Sequence, residues 1–147
     1  ETYDIGETKV TPVHANHSLD KSEHMIMQDL CFNYVFEREG RTIFYGMDSS
    51  YTLPLTLEFL RQFKLNVAVL DVTFGRRKID PITSGHHNLP MIKETIAEFC
   101  AAGVFTDKTT VVASHMALAY AEPYDDLVDE MREAGITLGY DGIELEA

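Results

Sequence analysis

Basic residues and long apolar runs are scarce in this chain. Lys and Arg number 12 against 24 Asp and Glu, which gives a formal net charge of −12. Because binding to a phosphate backbone or to anionic lipid requires a basic surface, the composition argues against nucleic acid and against a lipid surface as partners. No apolar run reaches the roughly 18 residues of a membrane span, and no signal-peptide pattern opens the sequence.

Cysteine is also rare, since Cys31 and Cys100 are the only two. Two cysteines are too few for a disulfide framework of the kind found in small secreted domains. Each lies in an apolar stretch of sequence, which predicts buried free thiols in a reducing compartment. We therefore expect a cytoplasmic protein.

Repeats, low-complexity tracts and linkers rich in Gly, Ser or Pro are absent. Hydrophobic residues make up 45% of the 147 residues, the balance of a globular domain. The sequence therefore predicts that residues 1–147 form a single unit.

Hydrophobic periodicity predicts the secondary structure of this unit. Short alternating or continuous apolar runs indicate strands, and apolar residues at helical spacing indicate helices. The predicted strands cover 7–13, 31–36, 42–47, 65–70 and 109–113, with a terminal hairpin in 136–145, and the predicted helices cover 53–63, 89–102 and 123–134. This alternation of strands and helices is typical of an α/β layered domain.

Metal-binding residue types follow several of the predicted strands. His17 follows the first strand, Asp48 follows the second strand of the hairpin, and His115 follows the fourth. In open α/β sheets, ligands bind outside the carboxyl ends of the strands, so these side chains are predicted to converge. Two imidazoles and a carboxylate suit zinc, manganese or iron. Hydrogen-bonded loop histidines and a helix-capping Asp48 are the structural alternatives.

A basic stretch precedes the loop that contains His86. Residues 61–93 carry six basic residues against two acidic ones, within a strongly acidic chain. Arg76 and Arg77 belong to this stretch and are candidate substrate-binding residues for a small anionic substrate. A solvated surface loop is the alternative interpretation.

Six segments of the sequence, taken in order, resemble a known family. They are VTPVHANHS (10–18), TIFYGMDSSY (42–51), LDVTFG (70–75), GHHN (85–88), VASHM (112–116) and GYDGIEL (139–145). Together they resemble the C-terminal half of a metallo-β-lactamase-fold hydrolase. They are most similar to the phosphodiesterase branch associated with carbon–phosphorus lyase (phosphonate) metabolism. The resemblance implies a layered αββα-type fold, of which this chain is the C-terminal half.

The resemblance also implies roles for individual residues. It makes His17, Asp48 and His115 metal ligands, with Asp48 bridging two divalent ions. Zinc is the first candidate for these ions, and manganese and iron are the alternatives. His86 corresponds to a histidine that faces the substrate phosphate and acts in catalysis, and the adjacent His87 is an alternative for that contact.

The family's His-x-His-x-Asp-His motif is missing from the sequence. The six histidines are at positions 14, 17, 24, 86, 87 and 115, and no two of them have the His-x-His spacing with which the motif begins. The chain is therefore expected to present about half of a dinuclear site. The other half is expected to have been removed, to come from another chain, or to have been lost together with the activity.

For the intact protein, the resemblance implies hydrolysis of a phosphodiester by a hydroxide that bridges the two metals. Two other functions remain open. The chain could be a non-catalytic fragment or assembly module that forms a homodimer through the apolar surface left uncovered. The same fold could also hydrolyse a thioester or a lactam, because a fold alone does not determine the reaction.

Overall fold

The structure is a computed structural model that describes residues 1–17, 31–81 and 84–146. Ser18 and His24, which the sequence analysis named, lie outside these ranges. The described strands and helices are, in chain order, β1 (Tyr3–Ile5), β2 (Thr8–His14), β3 (Phe32–Arg38), β4 (Arg41–Gly46), α1 (Pro54–Leu60), β5 (Val67–Asp71), α2 (Leu89–Ala101), β6 (Thr110–Ser114), α3 (Tyr124–Glu133) and β7 (Ile136–Leu138).

The strands form one seven-stranded sheet in sequence order. Strands β1 to β4 pair antiparallel, whereas β4 to β7 pair parallel and are joined through the three helices. Because two successive antiparallel pairings restore the direction of the chain, β2 points the same way as β4, β5 and β6. The carboxyl ends of these four strands therefore lie at one edge of the sheet, which we call the carboxyl edge.

The helices cover one face of the sheet. Strand β3 alternates, so that Val35 points into the core while Tyr34 points to the opposite face. The core combines side chains of the sheet with buried side chains of the helices, among them Leu70, Ile92, Phe99, Leu127 and Met131. The predicted α/β layering is confirmed.

The opposite face of the sheet carries exposed aromatic side chains. Tyr34 and Tyr45 are directly paired across β3 and β4, and both are exposed, as is the neighbouring Phe32. Ile5 of β1 is exposed as well. Several exposed large apolar side chains on one face are uncommon on a monomeric protein and make this face a candidate contact surface.

Three local predictions were wrong. Strand β1 was not predicted because it has only three residues, and it pairs with β2 through a turn at Gly6, where φ is +61°. The terminal hairpin is reduced to β7, because the chain turns at 140–143 and residues 143–146 form no strand. Cys100 is exposed rather than buried, since it is rotated about 100° around α2 from the buried Phe99. Cys31 is half-buried.

No helix within the described ranges is both long and apolar enough to cross a bilayer.

Two loops at the carboxyl edge meet backbone to backbone. Gly85 has a φ of +67°, and a Cβ atom at this position would lie 2.2 Å from the carbonyl oxygen of His17. The His17 ring nitrogen Nδ1 in turn donates a hydrogen bond to the Gly85 carbonyl oxygen, at 3.0 Å. The loop after β2 is therefore fixed against the loop that contains His86, and only glycine fits between them.

A neutral histidine is buried beside these loops. His87 is 2% exposed, and its Nε2 atom lies 3.0 Å from the hydroxyl of Thr95 on α2. Its Nδ1 atom is buried without a hydrogen-bond partner among the residues that the structure describes. Burial lowers the pKa of His87 to about 4, although the nearby Asp71 acts in the opposite direction.

Replacing Gly85 by alanine should destabilise the chain more than the same replacement at a glycine that has a similar positive φ but no neighbouring atoms. We expect Gly85→Ala to lose roughly 3 kcal/mol or more of unfolding free energy, since it adds a clash to a strained φ. The control is Gly40→Ala, where φ is +74° but no atom lies within 4 Å of the added Cβ. That variant should lose only about 1–2 kcal/mol. Urea denaturation measures both, and equal losses would contradict the close approach.

The burial of neutral His87 should make stability depend on pH. Because its pKa is lower in the folded chain than in the unfolded chain, the unfolded state binds the proton more tightly. The stabilisation is complete above pH 6.5, and about 3 kcal/mol of it should be lost as the pH falls towards 4. Unfolding free energies of the wild type and His87→Gln, measured across this range, should converge at low pH. Parallel curves would show that His87 titrates normally.

Candidate metal centre

Four side chains with metal-ligating atoms converge at the carboxyl edge. One ligand atom from each of Asp48, Asp71, His86 and His115 can be chosen so that all lie within 4.8 Å of one another. Asp48 follows β4, Asp71 ends β5, His115 follows β6, and His86 lies in the loop before α2. We call these four residues the Asp–His cluster.

The backbone of the cluster is strained at two positions. Among the described residues, three other than glycine have a positive φ, namely Glu39 in the β3–β4 turn, Asp48 (+47°) and His115 (+67°). Left-handed backbone costs an L-residue on the order of 1–2 kcal/mol, and such strain is concentrated at functional sites. The two strained residues are also close to each other, with His115 Nε2 3.1 Å from Asp48 Oδ1. Two ligands of one zinc ion, each bound at about 2.0–2.2 Å, have a similar separation.

Asp71 is the buried anchor of the cluster. Its side chain is fully buried, and Oδ1 accepts hydrogen bonds from the backbone N–H and the hydroxyl of Thr73, both at 2.8 Å, and from the backbone N–H of His87 at 3.3 Å. Its Oδ2 accepts from His86 Nδ1 at 2.7 Å. With both oxygens occupied, Asp71 serves to orient its neighbours.

Thr73 connects this anchor to His115. Its hydroxyl donates its single proton to Asp71, so it can only accept from His115 Nδ1, which lies 2.9 Å away. This arrangement places the proton of His115 on Nδ1 and leaves Nε2, the atom next to Asp48, with a free lone pair. It is the tautomer that a metal-ligating histidine requires.

His17 lies at the margin of the cluster. Its ring is edge-on to that of His86, with 4.6 Å between the ring centroids, and the His86 ring stacks on that of His115 at 5.5 Å. The hydrogen bond from its Nδ1 to Gly85 leaves Nε2 free to bind a metal. The structure therefore places His17, Asp48 and His115 at one edge of the sheet, with His86 between the two other imidazoles.

The predicted substrate-binding residues lie outside this cluster. Arg76 Nε pairs with Glu130 of α3 at 2.7 Å, and this hydrogen bond raises the pKa of Arg76. The Arg77 guanidinium lies 5.2 Å from the centre of the Tyr120 ring. The pairing with Glu130 compensates the charge of Arg76 locally.

His87 is buried in the core, so of the two adjacent histidines it is His86 that the structure places in the cluster.

A groove of about 710 Å³ begins at the cluster and follows the carboxyl ends of β6 and β7. His115 lines its inner end together with Ser114. Residues from the loop after β6, the start of α3 and the chain after β7 form its walls: Met116, Ala117, Leu118, Ala121, Glu122, Pro123, Tyr124, Gly139, Tyr140 and Asp141. We call it the acidic groove, because Glu122 and Asp141 are its charged side chains.

Sequence reasoning missed the positioning roles of Asp71 and Thr73. Asp71 ends a buried strand at the carboxyl edge, but that position alone does not show which residues its carboxylate contacts. Only the fold shows that its second oxygen reaches His86, which lies 15 residues further along the chain.

No family model matches the sequence, and no curated protein matches it in sequence. Solved structures do match the fold. The metallo-β-lactamase-fold protein YhfI from Bacillus subtilis has a TM-score of 0.67 and 17% identity, over 97% of this chain and 51% of that one. Zn²⁺-bound PqqB from Methylobacterium extorquens has a TM-score of 0.70 and 14% identity, over 100% and 53%. A possible metal-dependent hydrolase from Veillonella parvula has a TM-score of 0.64 and 16% identity, over 97% and 55%.

The chain thus spans about half the length of the proteins whose fold it shares. Sequence identities this low carry the fold alone, and the function has to be argued from the site. The described structure has the fold of part of a metallo-β-lactamase-fold protein, as the sequence resemblance predicted.

Proposed function

We propose that this chain supplies part of a divalent metal centre that hydrolyses phosphodiesters. The observation that carries the proposal is the convergence of Asp48, His86 and His115 around the buried Asp71. The donor chemistry fits a metal, because hydrogen bonds fix the protons of His17 and His115 on Nδ1 and leave both Nε2 atoms free. Divalent ions held there would supply positive charge that activates water and neutralises the phosphoryl oxygens.

The imidazole and carboxylate donors support zinc as the first choice of metal, with manganese and iron as alternatives. His17, Asp48 and His115 would hold the metal. Three protein ligands leave room for water and substrate, but they bind a metal more weakly than a full ligand set does. We therefore propose that this chain alone is a weak metal binder and a poor hydrolase.

His86 is proposed to act on the substrate. Asp71 accepts the proton of His86 Nδ1 in a hydrogen bond and thereby fixes the orientation of the ring. The ring is partly exposed, so Nε2 is the nitrogen available to the substrate. Since Nδ1–H is bonded to Asp71, the ring donates from Nε2 only as an imidazolium. In that form it would give a hydrogen bond to the phosphate or a proton to the departing alkoxide, a contribution typically worth about 10²–10⁴-fold in rate.

Substitutions at the cluster should separate metal binding from catalysis. We expect Asp48→Ala to lower zinc affinity by more than the roughly 10–100-fold that loss of a ligand's hydrogen-bonding partner costs, and to abolish turnover, because it removes a ligand itself. His86→Ala should keep the metal and lower kcat by about 10²-fold or more. Equilibrium dialysis with zinc and metal-dependent hydrolysis of bis(p-nitrophenyl) phosphate measure the two effects.

The matched control for these variants is Asp107→Ala, which removes an exposed carboxylate between α2 and β6 and should change neither quantity. Equal metal loss in Asp48→Ala and His86→Ala would show that His86 is a ligand and not a catalytic residue. Unchanged zinc binding in Asp48→Ala would overturn the metal centre itself.

Self-association is the second proposal, and the exposed aromatic face of the sheet favours it. A second copy of this face would bury the paired Tyr34 and Tyr45. We expect light scattering to show a concentration-dependent dimer that Tyr34→Glu shifts towards monomer. Leu55→Glu alters a residue of α1 that is 86% exposed, in the opposite layer, and should leave the dimer intact. A monomer at all concentrations would contradict the proposal.

A further inference from the structure

The acidic groove is placed to take one substituent of a substrate held at the Asp–His cluster. His115 belongs to both, because it lines the groove and its Nε2 atom lies 3.1 Å from Asp48. A phosphodiester has two ester groups, so one of them can extend along the groove when the phosphate lies at the cluster. The lining of the groove therefore bears on which ester groups are accepted.

The Asp and Glu side chains give the groove a negative charge. Glu122 and Asp141 line it, and none of its described lining residues is Lys or Arg. The Arg76 side chain pairs with Glu130 and donates to the carbonyl oxygen of Asp126, and its charge also attracts Glu122, so Asp141 is the carboxylate of the groove that Arg76 does not offset. Only the Arg76 backbone N–H reaches Glu122, at 2.9 Å. An ester group with an additional negative charge would be repelled here.

The apolar part of the groove suits an organic cation. The rings of Tyr124 and Tyr140 stand edge-on at 87°, with 6.3 Å between their centroids, and form an aromatic corner. Met116 and Leu118 add apolar surface. Aromatic rings combined with carboxylates are the chemistry that binds alkylammonium groups, through cation–π attraction and charge.

A second groove offers the opposite chemistry. It holds about 420 Å³, and its lining includes Arg77, Lys78 and Asp80 together with Phe74, Ser84 and Tyr120. With two basic side chains and one acidic side chain, it suits an anionic ester group better than the acidic groove does. Neither His115 nor His86 lines it, whereas His115 lines the acidic groove. The continuity with the cluster favours the acidic groove as the place of the second ester group.

We propose that the acidic groove binds an alkylammonium group, so that the preferred substrates are phosphodiesters of a cationic alcohol. This specificity rests on the proposed function. In such a reaction, the oxygen of water bonds to phosphorus and one P–O ester bond breaks. The departing alcohol leaves with the electron pair of that bond and takes up a proton, unless it is stable as an anion.

Binding of the cation alone tests the groove without any turnover. Choline chloride and its neutral isostere 3,3-dimethylbutanol are titrated into the chain, and the tyrosine ring resonances are followed by NMR. We expect choline to bind about 10-fold more tightly or better, with the shifts at Tyr124 and Tyr140. Asp141→Asn should weaken choline binding about 5–10-fold, and Tyr140→Leu should weaken it to a similar extent.

The control is Asp125→Asn, an exposed carboxylate of α3 that does not line the groove, and it should leave choline binding unchanged. Equal binding of choline and 3,3-dimethylbutanol would overturn the proposal. So would an Asp141→Asn variant that binds choline like the wild type.

Hydrolysis separates this inference from the proposed function. The substrates are p-nitrophenyl phosphorylcholine, p-nitrophenyl 3,3-dimethylbutyl phosphate and a p-nitrophenyl diester whose alkyl chain ends in a carboxylate. With p-nitrophenolate leaving in each case, we expect the choline ester to have the highest kcat/KM, by about 10-fold over the neutral ester. A preference for the carboxylate ester would assign the substituent to the second groove, which contains Arg77 and Lys78, and overturn the inference alone. Because slow turnover is already expected of this chain alone, zinc binding tests the proposed function: a wild-type chain that binds choline but binds no zinc would overturn the proposed function alone.

Discussion

The organisation of the carboxyl edge depends on the burial of one carboxylate. Asp71 has no exposed surface, and a buried carboxylate is strongly unfavourable unless hydrogen bonds replace its hydration. Those bonds come from Thr73, two residues further on, and from His86 and His87 in the loop before α2. Hydrogen bonds from these residues replace the hydration of Asp71, and they also hold the loop before α2 in one position. The same bonds that satisfy the charge set the orientation of His86 and, through Thr73, the tautomer of His115.

The course of the strands explains how much of this site the sequence could predict. Residues that directly follow parallel strands meet at one edge of the sheet, and this does not depend on the sequence of the segments that connect the strands. The positions of Asp48 and His115 could therefore be predicted from the strand ends alone. The role of Asp71 could not, because it depends on a side-chain hydrogen bond to a loop residue 15 positions later. For Arg76, the sequence suggested a functional role that the structure does not support. Its charge suggested a role in substrate binding, but tertiary structure pairs it with Glu130, 54 residues further on.

Local errors in the fold prediction have a related origin. Cys100 lies in a helix whose apolar residues are correctly spaced, yet the helix faces the core through Ile92 and Phe99 and turns Cys100 to solvent. The terminal hairpin had a suitable Asp-Gly turn, but the turn closes tightly through a hydrogen bond from the Ile143 N–H to the Tyr140 carbonyl oxygen. In both cases the pattern specified the element. Packing of the helix on the sheet decided the orientation of Cys100, and the local turn at 140–143 ended the hairpin.

The left-handed backbone at Asp48 also bears on how the protein can evolve. Asparagine adopts this conformation about as readily as aspartate and has nearly the same shape, so an Asp48→Asn change leaves the turn after β4 intact. One nucleotide in a codon separates the two residues. The negative charge at the cluster can therefore disappear by a single mutation at almost no cost in folding. A lineage that carries this architecture can therefore weaken the proposed metal centre by one mutation while its folding stability changes little.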